Sequence, residues 1–448
     1  MTTVHPSGHA VHRVVNLIPD SDQSILNMTA DDARNRVLSD DPASVLGIHG
    51  AFALVAQDGE RVCLARSLNR PLRYFLAKEA AGPLLVVSDR IDTIHRFLVS
   101  EGYAHQFHPT YTRMAPAHHV TEIQLIGCPD PNPTYRRFFT PPMGTLPPDL
   151  DTIGQRYVEA VLTELREWLS RIPDTEALGV AFSGGLDSGT ILLCVHDALR
   201  QLGQSPARLK AFTLSVGNGG DDARNARAFL RQTGLEFMAE EIAVSADAVD
   251  PLAASRIIED YKPLDVECAA AGLSLLHGIR ERYPDWRWLV DGDGGDENLK
   301  DYPVEDNTEL TIRSVVSNRM LYQEGWGVDA IKHSQTYSGG LSRGCVRGYA
   351  PARHYGFEVV SPCTSSRVIT VAEAIPFDLL TEGSTTRLYE LKGEVLARGI
   401  RLALGRELPV FPKRRFQEGS MTGRTFQQVF GSHSDLYRHH FLDQYTTV

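Results

Sequence analysis

Apolar and polar residues alternate in blocks over the central part of the chain. Between residues 157 and 169, apolar side chains recur every three or four positions, which predicts an amphipathic helix. The short apolar runs that follow predict buried strands at 178–182, 209–214 and 286–290. Helical spacing, ended in two cases by a glycine, predicts helices at 188–202, 221–233 and 268–282. Strands that alternate with helices in this way predict a parallel sheet with helices on both faces.

The N-terminal part of the chain has a different pattern. Short apolar runs separated by turn residues occupy 45–67 and 82–92, and Asp58-Gly59 marks the turn of a predicted β-hairpin. The stretch 129–149 is rich in proline, which predicts a linker or a domain boundary. We therefore expect two domains, residues 1–145 and 146–448, and a largely helical C-terminal part in the second.

Composition limits the classes of function. The 448 residues are 42% hydrophobic and 23% charged, as in an ordinary globular protein. The net charge of -11 argues against a nucleic-acid groove as the main binding surface. No apolar run approaches the ~20 residues of a membrane span, and the N-terminus lacks the apolar core of a secretory signal. Six scattered cysteines without a C-x-x-C pair favour free thiols, and we expect a cytoplasmic protein without membrane contact.

A glycine-rich stretch, VAFSGGLDSGT, covers residues 180–190 between a predicted strand and a predicted helix. Its glycines allow backbone N–H groups to converge on an anion, and the helix adds its positive end. A carboxylate at Asp187 would repel bound phosphates unless Mg²⁺ bridged them. The stretch is neither a Walker A loop nor a Rossmann fingerprint. The alternative is a tight turn with a helix cap, but the combination of Ser183, Asp187 and Ser188 favours a nucleotide site.

A second acidic loop, WRWLVDGDGGDEN, follows the strand predicted at 286–290. It does not fit an EF-hand, because Gly295 occupies a ligand position and Asp296 the position of the glycine. Alone, it could equally be a solvated acidic turn. Beside the first loop, it predicts that Asp187 and Asp296 surround one metal–pyrophosphate unit.

These stretches carry a resemblance to a known family. S-G-G-L-D-S at 183–188 resembles the pyrophosphate loop of the ATP pyrophosphatases, and D-G-D-G-G-D-E resembles the S-G-E-G-x-D-E segment of asparagine synthetases. FPKRRFQEGS at 411–420 resembles a C-terminal segment of the related β-lactam synthetases. The resemblance covers roughly residues 150–425. It implies an adenine nucleotide alpha hydrolase-like α/β fold, a doubly wound parallel sheet, preceded by a smaller, shortened Ntn-hydrolase-like α+β domain.

The N-terminal domain departs from the family pattern. LGIHGAFALVAQDG is similar to part of the family's glutamine-hydrolysing domain, but that domain uses a cysteine directly after the initiator Met. Here the chain begins Met-Thr-Thr, and its first cysteine is Cys63. Thr2 as an N-terminal nucleophile is an alternative. We expect a degenerate domain and a nitrogen source other than glutamine.

The resemblance implies a specific chemistry. A substrate carboxylate attacks the α-phosphate of ATP, pyrophosphate leaves, and an amine then displaces AMP from the acyl-adenylate. Asp187 and Asp296 would hold Mg²⁺. Matching positions that would bind ATP or pyrophosphate are Ala181, Ser183, Gly184, Gly185, Asp187, Ser188, Val216 and Gly292.

Three further positions match catalytic roles of the family. Lys413 would stabilise charge on the phosphate and the developing oxyanion. Asp293 would act as base or orienting group for the amine, where β-lactam synthetases have a tyrosine and asparagine synthetases a glutamate. Glu324 would be the partner of Asp293, although its match to the family position is looser.

We therefore expect an AMP-forming amide synthetase in secondary metabolism, acting on a small-molecule carboxylate and amine, by ring closure or between two molecules. Ammonia-dependent amidation of the asparagine type is the nearest alternative. A tRNA-modifying enzyme and a non-catalytic scaffold are alternatives of other classes. The sequence does not fix the two substrates or the oligomeric state, and a homodimer remains open.

Overall fold

A computed structural model describes the chain over residues 11–59, 61–80, 82–123, 125–126, 130–131, 133–301, 304, 310–317, 345–412, 415–431 and 434–446. It divides into two compact units. The first contains residues 1–140, 334–341 and 442–448, and the second contains residues 141–333 and 342–441. Each is described by itself below.

The first unit contains mainly short strands. Its two α-helices within the described residues are Ala30–Leu38 (α1) and Ile91–Ser100 (α2). Its strands are Arg13–Asn16 (β1), Ser24–Ile25 (β2), Gly50–Ala51 (β3), Ala53–Asp58 (β4), Arg61–Arg66 (β5), Arg73–Glu79 (β6), Gly82–Ser88 (β7), Arg113–Met114 (β8), His119–Glu122 (β9), Leu125–Ile126 (β10), Asp130–Pro131 (β11) and Thr134–Arg137 (β12).

Two four-stranded sheets organise these strands. One has the order β1-β7-β6-β8, with β1 parallel to β7, and the other is antiparallel with the order β12-β9-β5-β4. Strands β4 and β5 form the predicted hairpin, in which Asp58 pairs with Arg61. Gly59 lies in its turn with a φ of 58°, a conformation that glycine adopts readily.

The stretch 129–149, predicted to be a linker or a domain boundary, includes the division between the two units at 140/141 and also a strand. Residues Thr134–Arg137 form β12, which pairs antiparallel with β9. The prolines precede and follow these four residues, so every residue of the strand keeps its N–H group for the ladder.

The second unit alternates strands and helices. Its strands are Leu178–Ala181 (β13), Leu209–Val216 (β14), Ala239–Val244 (β15), Trp288–Val290 (β16) and Glu358–Val360 (β17). Its helices are Leu150–Leu169 (α3), Leu186–Gln201 (α4), Asp221–Thr233 (α5), Pro251–Ile258 (α6), Pro263–Arg282 (α7), Gly295–Asn298 (α8), Ile312–Ser317 (α9), Ala350–His354 (α10), Ser366–Glu373 (α11), Phe377–Thr381 (α12), Thr385–Leu404 (α13), Phe416–Gly419 (α14) and Gly423–Phe430 (α15). A π-helical turn, Cys345–Tyr349, precedes α10, and the helix Ser434–Asp443 (α16) follows α15.

The five strands of this unit form one parallel sheet with the order β15-β14-β13-β16-β17. Its centre is fully buried, as Leu178 and Val180 of β13 show with relative exposures of 0%. The chain runs outward from β13 to one side through β14 and β15, and to the other side through β16 and β17. The order therefore reverses between β13 and β16, and open sheets of this kind bind ligands beyond the carboxyl ends of the strands at that reversal. The predicted doubly wound α/β fold is confirmed for this unit.

All the helices and strands predicted between residues 157 and 290 are present, with small shifts of their ends. Gly234 ends α5 in the left-handed conformation, as predicted. The two edge strands were not predicted from the sequence. β15 has alternating exposed and buried residues and includes two glutamates, and β17 has only three residues. Neither produces the continuous apolar run of a central strand.

Within the residues that the structure describes, no helix is both long enough and apolar enough to cross a membrane.

Candidate functional site

The two glycine-rich loops lie side by side at the point where the strand order reverses. Residues 182–185 connect β13 to α4, and residues 291–294 connect β16 to α8. β13 and β16 are neighbours in the sheet, so both loops leave the same carboxyl edge. The sequence-predicted residues at this edge are Ala181, Ser183, Gly184, Gly185, Asp187, Ser188, Gly292, Asp293 and Asp296, with Val216 at the end of β14.

The first loop is held by its own serines. Oγ of Ser183 lies 3.2 Å from Oγ of Ser188, and the Ser183 N–H group donates to Oγ of Ser188 at 3.3 Å. The Gly185 N–H group donates to Oγ of Ser183 at 3.3 Å. Gly184 has a φ of 78°, and a Cβ there would lie 2.6 Å from the backbone nitrogen of Ala226. The loop therefore requires glycine at this position, and its N–H groups and hydroxyls are grouped at the start of α4, as a phosphate cradle requires.

The second loop packs directly against Asp187. A Cβ on Gly292 would lie 2.9 Å from Cβ of Asp187, and one on Gly295 would lie 2.2 Å from its Oδ1. These separations leave no room for a side chain, so the two glycines allow the loops to touch. Asp187 and Asp296, which the sequence analysis placed around one cation, do lie together.

Lys392 of α13 joins the two aspartates. Its ammonium donates to Oδ2 of Asp187 at 2.5 Å and to Oδ1 of Asp296, and lies 3.4 Å from Oδ2 of Asp301. The side chain of Lys392 is 2% exposed, whereas those of Asp187 and Asp296 are 26% and 37% exposed. Burial alone would lower the pKa of Lys392, but attraction by the three carboxylates raises it well above its ordinary value. The lysine is therefore a permanent cation inside the site.

Lys392 was not among the site residues predicted from the sequence. The sequence of α13 could have indicated this lysine, because Lys392 lies within the buried face formed by Leu388, Leu391 and Val395. A lysine in the apolar stripe of an amphipathic helix needs a buried partner, since an unpaired buried ammonium is costly.

The carboxylates fit a hard cation. A carboxylate has two oxygens, so Asp187 and Asp296 can each bond Lys392 with one oxygen and coordinate a cation with the other. Among the described residues, no group of three or more histidines, cysteines and acidic residues is arranged to hold a metal ion unaided. A Mg²⁺ ion usually takes one or two carboxylates from a protein and completes its shell with nucleotide phosphates and water.

The C-terminal segment that resembles the family reaches the same edge of the sheet. The N–H group of Val216, at the end of β14, donates to the carbonyl oxygen of Ser420 at 2.9 Å. A Cβ on Gly220 would lie 2.1 Å from the carbonyl oxygen of Gly419, and one on Gly419 would lie 2.1 Å from Oδ1 of Asp222. The close packing of these backbones brings the end of the segment to β14. Lys413 and Glu324 lie outside the described residues.

A pair of carboxyl groups occupies the second loop. Oδ1 of Asp291 accepts the N–H group of Asp293 at 3.1 Å. Burial raises the pKa of Asp291 to about 6, and burial together with repulsion by Asp291 raises the pKa of Asp293 well above its ordinary value. Arg347, in the π-helical turn, opposes this shift, and donates two hydrogen bonds of 3.1 and 2.9 Å to the buried Oδ1 of Asp265. A raised carboxyl pKa suits a group that accepts a proton near neutral pH.

Comparison with known proteins agrees with this geometry. Residues 167–335 match the family model described as asparagine synthase. The matched range includes both glycine-rich loops, and the predicted resemblance to asparagine synthetases is confirmed. The domain has an adenine nucleotide alpha hydrolase-like fold, and the family consists of ligases that form carbon–nitrogen bonds on small molecules with ATP, usually with Mg²⁺. A search of curated proteins found no match.

Proposed function

We propose that this chain, whose residues 167–335 belong to the asparagine synthase family, is an amide synthetase. It converts ATP to AMP and pyrophosphate and does not use glutamine. The observation that carries the proposal is the meeting of Asp187 and Asp296 at the reversal of strand order, beside the loop 183–188. A substrate carboxylate attacks the α-phosphate, and the bond between the α- and β-phosphates breaks. An amine then attacks the acyl carbon, and AMP leaves with its oxygen.

The loop residues bind and orient the pyrophosphate part of ATP. The N–H groups of Gly184 and Gly185 and the hydroxyls of Ser183 and Ser188 are the donors assigned to it. Asp187 and Asp296 would hold Mg²⁺, which supplies positive charge to the phosphates when it is bound. Ala181, Val216 and Gly292 are the proposed frame of the adenosine, at the ends of three neighbouring strands.

Three side chains are assigned to the transfer to the amine. Asp293 accepts the proton that the amine loses, and its raised pKa supports this role. Lys413 stabilises the negative charge that develops on the phosphate and the acyl oxygen. Glu324 is the proposed partner of Asp293.

Independence from glutamine is supported by Cys63, the cysteine of the first unit that lies within the described residues. Cys63 lies on β5 with a relative exposure of 0%, and burial raises the pKa of its thiol. A nucleophilic cysteine needs an accessible thiolate, and Cys63 offers neither access nor a lowered pKa. We propose that the first unit is a degenerate relative of the glutamine-hydrolysing domain and that the amine comes from a substrate molecule.

A panel assay tests the proposal. Pyrophosphate release from ATP and Mg²⁺ is measured with amino acids and dicarboxylic acids, each with ammonia, with glutamine or with no added amine. We expect one acid to trigger release, and we expect Asp187→Ala to abolish it, while Asp285→Asn, at an exposed position of the same unit, leaves it unchanged.

The nitrogen donor that the reaction requires then distinguishes ring closure from amidation. An acid that carries its own amine and needs no donor indicates ring closure, as in β-lactam synthetases, and would fit secondary metabolism. A requirement for ammonia indicates amidation of the asparagine type. Turnover with glutamine as efficient as that with ammonia would contradict the proposed role of the first unit, and ADP with phosphate as products would contradict adenylation.

A further inference from the structure

Two carboxyl groups of the second loop face one point beside the π-helical turn. A Cβ on Gly348 would lie 2.9 Å from Oδ2 of Asp291 and 3.0 Å from Oδ2 of Asp293. The two side chains therefore converge on the same glycine, and any larger residue there would separate them or displace them.

The two carboxyl groups differ in their access to solvent. Asp291 is 8% exposed, and Asp293 is more exposed. Asp291 is also firmly held, because it accepts the hydroxyl of Ser361 and, at 3.1 Å, the N–H group of Asp293. Asp293 is therefore the member that a substrate can reach, and Asp291 lies behind it.

Two carboxylates that converge on one point, one of them buried and the other half-buried, repel each other strongly when both are charged, so one proton stays on the pair over a wide pH range. Burial raises the pKa of both groups, and the charge of Asp291 raises that of Asp293 further. Within the part of the chain that the structure describes, Arg347 lowers the pKa of Asp293, and its guanidinium is shared with Asp265. Further charged or titratable groups described around the pair are Glu297, Asp296 and Cys363.

We propose that Asp291 is a positioning residue behind Asp293, that the two carboxyls hold one proton between them, and that the pair accepts the proton of an amine that arrives as an ammonium ion. This inference rests on the proposed amide synthetase function and adds the chemical class of the donor. The asparagine synthetase segment that this loop resembles has serine at the position of Asp291, so the second carboxyl is a feature of this chain.

The step balances in protons and charge. The pair, with one carboxylate and one carboxylic acid, takes a proton from R–NH₃⁺ and leaves a neutral amine. The nitrogen lone pair forms the bond to the acyl carbon, and the bond from that carbon to the AMP oxygen breaks with its electrons on the phosphate. The second proton of the nitrogen goes to the departing AMP. Ammonia and alkyl amines are ammonium ions at neutral pH, so a resident carboxylate favours their binding and deprotonation.

The first experiment needs no substrate. Protein labelled with ¹³C at the aspartate carboxyl carbons is titrated by NMR, as wild type, Asp291→Ser, Asp291→Asn and Asp293→Asn. We expect a carboxyl resonance that titrates far above the ordinary aspartate range, that is absent in Asp293→Asn, and whose midpoint falls in both Asp291 variants. The two replacements differ in size, and circular dichroism identifies any variant that has not folded. An unchanged Asp293 midpoint in a folded Asp291 variant would overturn the proposal.

The second experiment separates the two half-reactions with the acid that triggers pyrophosphate release. Hydroxylamine, which is neutral at pH 7, traps the acyl-adenylate as a hydroxamate, whereas methylamine is present as methylammonium. In Asp291→Ser we expect hydroxamate formation within about twofold of wild type. Transfer to methylamine should be lowered by roughly tenfold or more, and the acidic side of its pH–rate profile should move to lower pH.

The outcomes distinguish the two proposals. If wild-type protein forms no hydroxamate with any acid, adenylation itself fails, and with it the function on which this inference rests. If wild-type protein forms hydroxamate and Asp291→Ser transfers methylamine at the wild-type rate and with the wild-type pH profile, the amide synthetase function stands and the role of Asp291 is refuted.

Discussion

The ammonium of Lys392 lies 2.5 Å from Oδ2 of Asp187, which ties helix α13 to the first turn of α4. The same nitrogen bonds Asp296 and lies 3.4 Å from Asp301. One lysine thus faces three carboxylates and holds Asp187 and Asp296 side by side. A nucleotide-bound Mg²⁺ ion would bind the two aspartates in this arrangement.

Replacing Lys392 by methionine, which has a similar length and no charge, should destabilise the protein. Three carboxylates would lose the buried ammonium that they face. Breaking a fully buried pair costs about 3–5 kcal/mol, and the cost here is smaller because Asp187 and Asp296 are 26% and 37% exposed. We expect Mg²⁺ to restore part of this loss in Lys392→Met and to have a smaller effect on wild type. Urea unfolding with and without Mg²⁺ measures both effects. Lys78→Met, at an exposed position, is the control, and equal unfolding midpoints for Lys392→Met and wild type would refute the role of the cluster.

Replacing Gly295 by alanine should weaken binding of ATP with Mg²⁺. The new Cβ would lie 2.2 Å from Oδ1 of Asp187, so the carboxylate must move away from the cation. Alanine favours helices more than glycine does, so the effect cannot come from helix propensity. Calorimetry of ATP binding in the presence of Mg²⁺ is the measurement. Gly423→Ala, also at the start of a helix but with nothing within 4 Å of the new Cβ, should bind ATP as wild type does.

Replacing Gly419 by alanine tests the position of the C-terminal segment. Its Cβ would lie 2.1 Å from Oδ1 of the buried Asp222, and forcing such a contact costs about 1–3 kcal/mol. The segment, in which Lys413 is six residues earlier in the sequence, should move away from β14. We expect adenylation to fall much more than the affinity for ATP. The measurement is the amount of pyrophosphate released per bound ATP. If a folded Gly419→Ala protein has the wild-type value, the segment does not take part in catalysis.

The stability of the protein should depend on pH through Asp291. Its pKa is raised from 3.8 to about 6 by burial, so the folded state binds the proton more tightly than the unfolded state. The resulting stabilisation is present in acid and is lost as the pH rises through about 6. Asp291→Asn lacks the titration and should gain stability relative to wild type between pH 4 and pH 8. Denaturant unfolding at both values measures the gain, and parallel pH curves for the two proteins would contradict it.

The sequence predicted the centre of the fold but not its edges. The strand before Ser183 and the strand before Asp291 are buried on both faces, so they read as apolar runs bounded by glycines. β15 and β17 are edge strands of mixed polarity or minimal length, and their place follows from pairing with distant strands rather than from local pattern.

The site residues that lie in contiguous stretches of the sequence were predicted, and those that come from distant elements were not. Asp187 and Asp296 follow neighbouring strands, so their meeting could be inferred from topology. Lys392 joins them from a helix about 200 residues further along the chain than Asp187, and only the packing of α13 shows the contact. Gly348 likewise meets Asp291 through tertiary packing, which no local spacing encodes.

The fate of the carboxylate oxygen tests the central claim most directly. The acid that triggers turnover is labelled with ¹⁸O in its carboxylate, and the nucleotide product is examined by mass spectrometry. The account predicts one ¹⁸O atom in AMP, unlabelled pyrophosphate, and loss of both products in Asp187→Ala. Label in inorganic phosphate with ADP as the nucleotide product would contradict adenylation at this site.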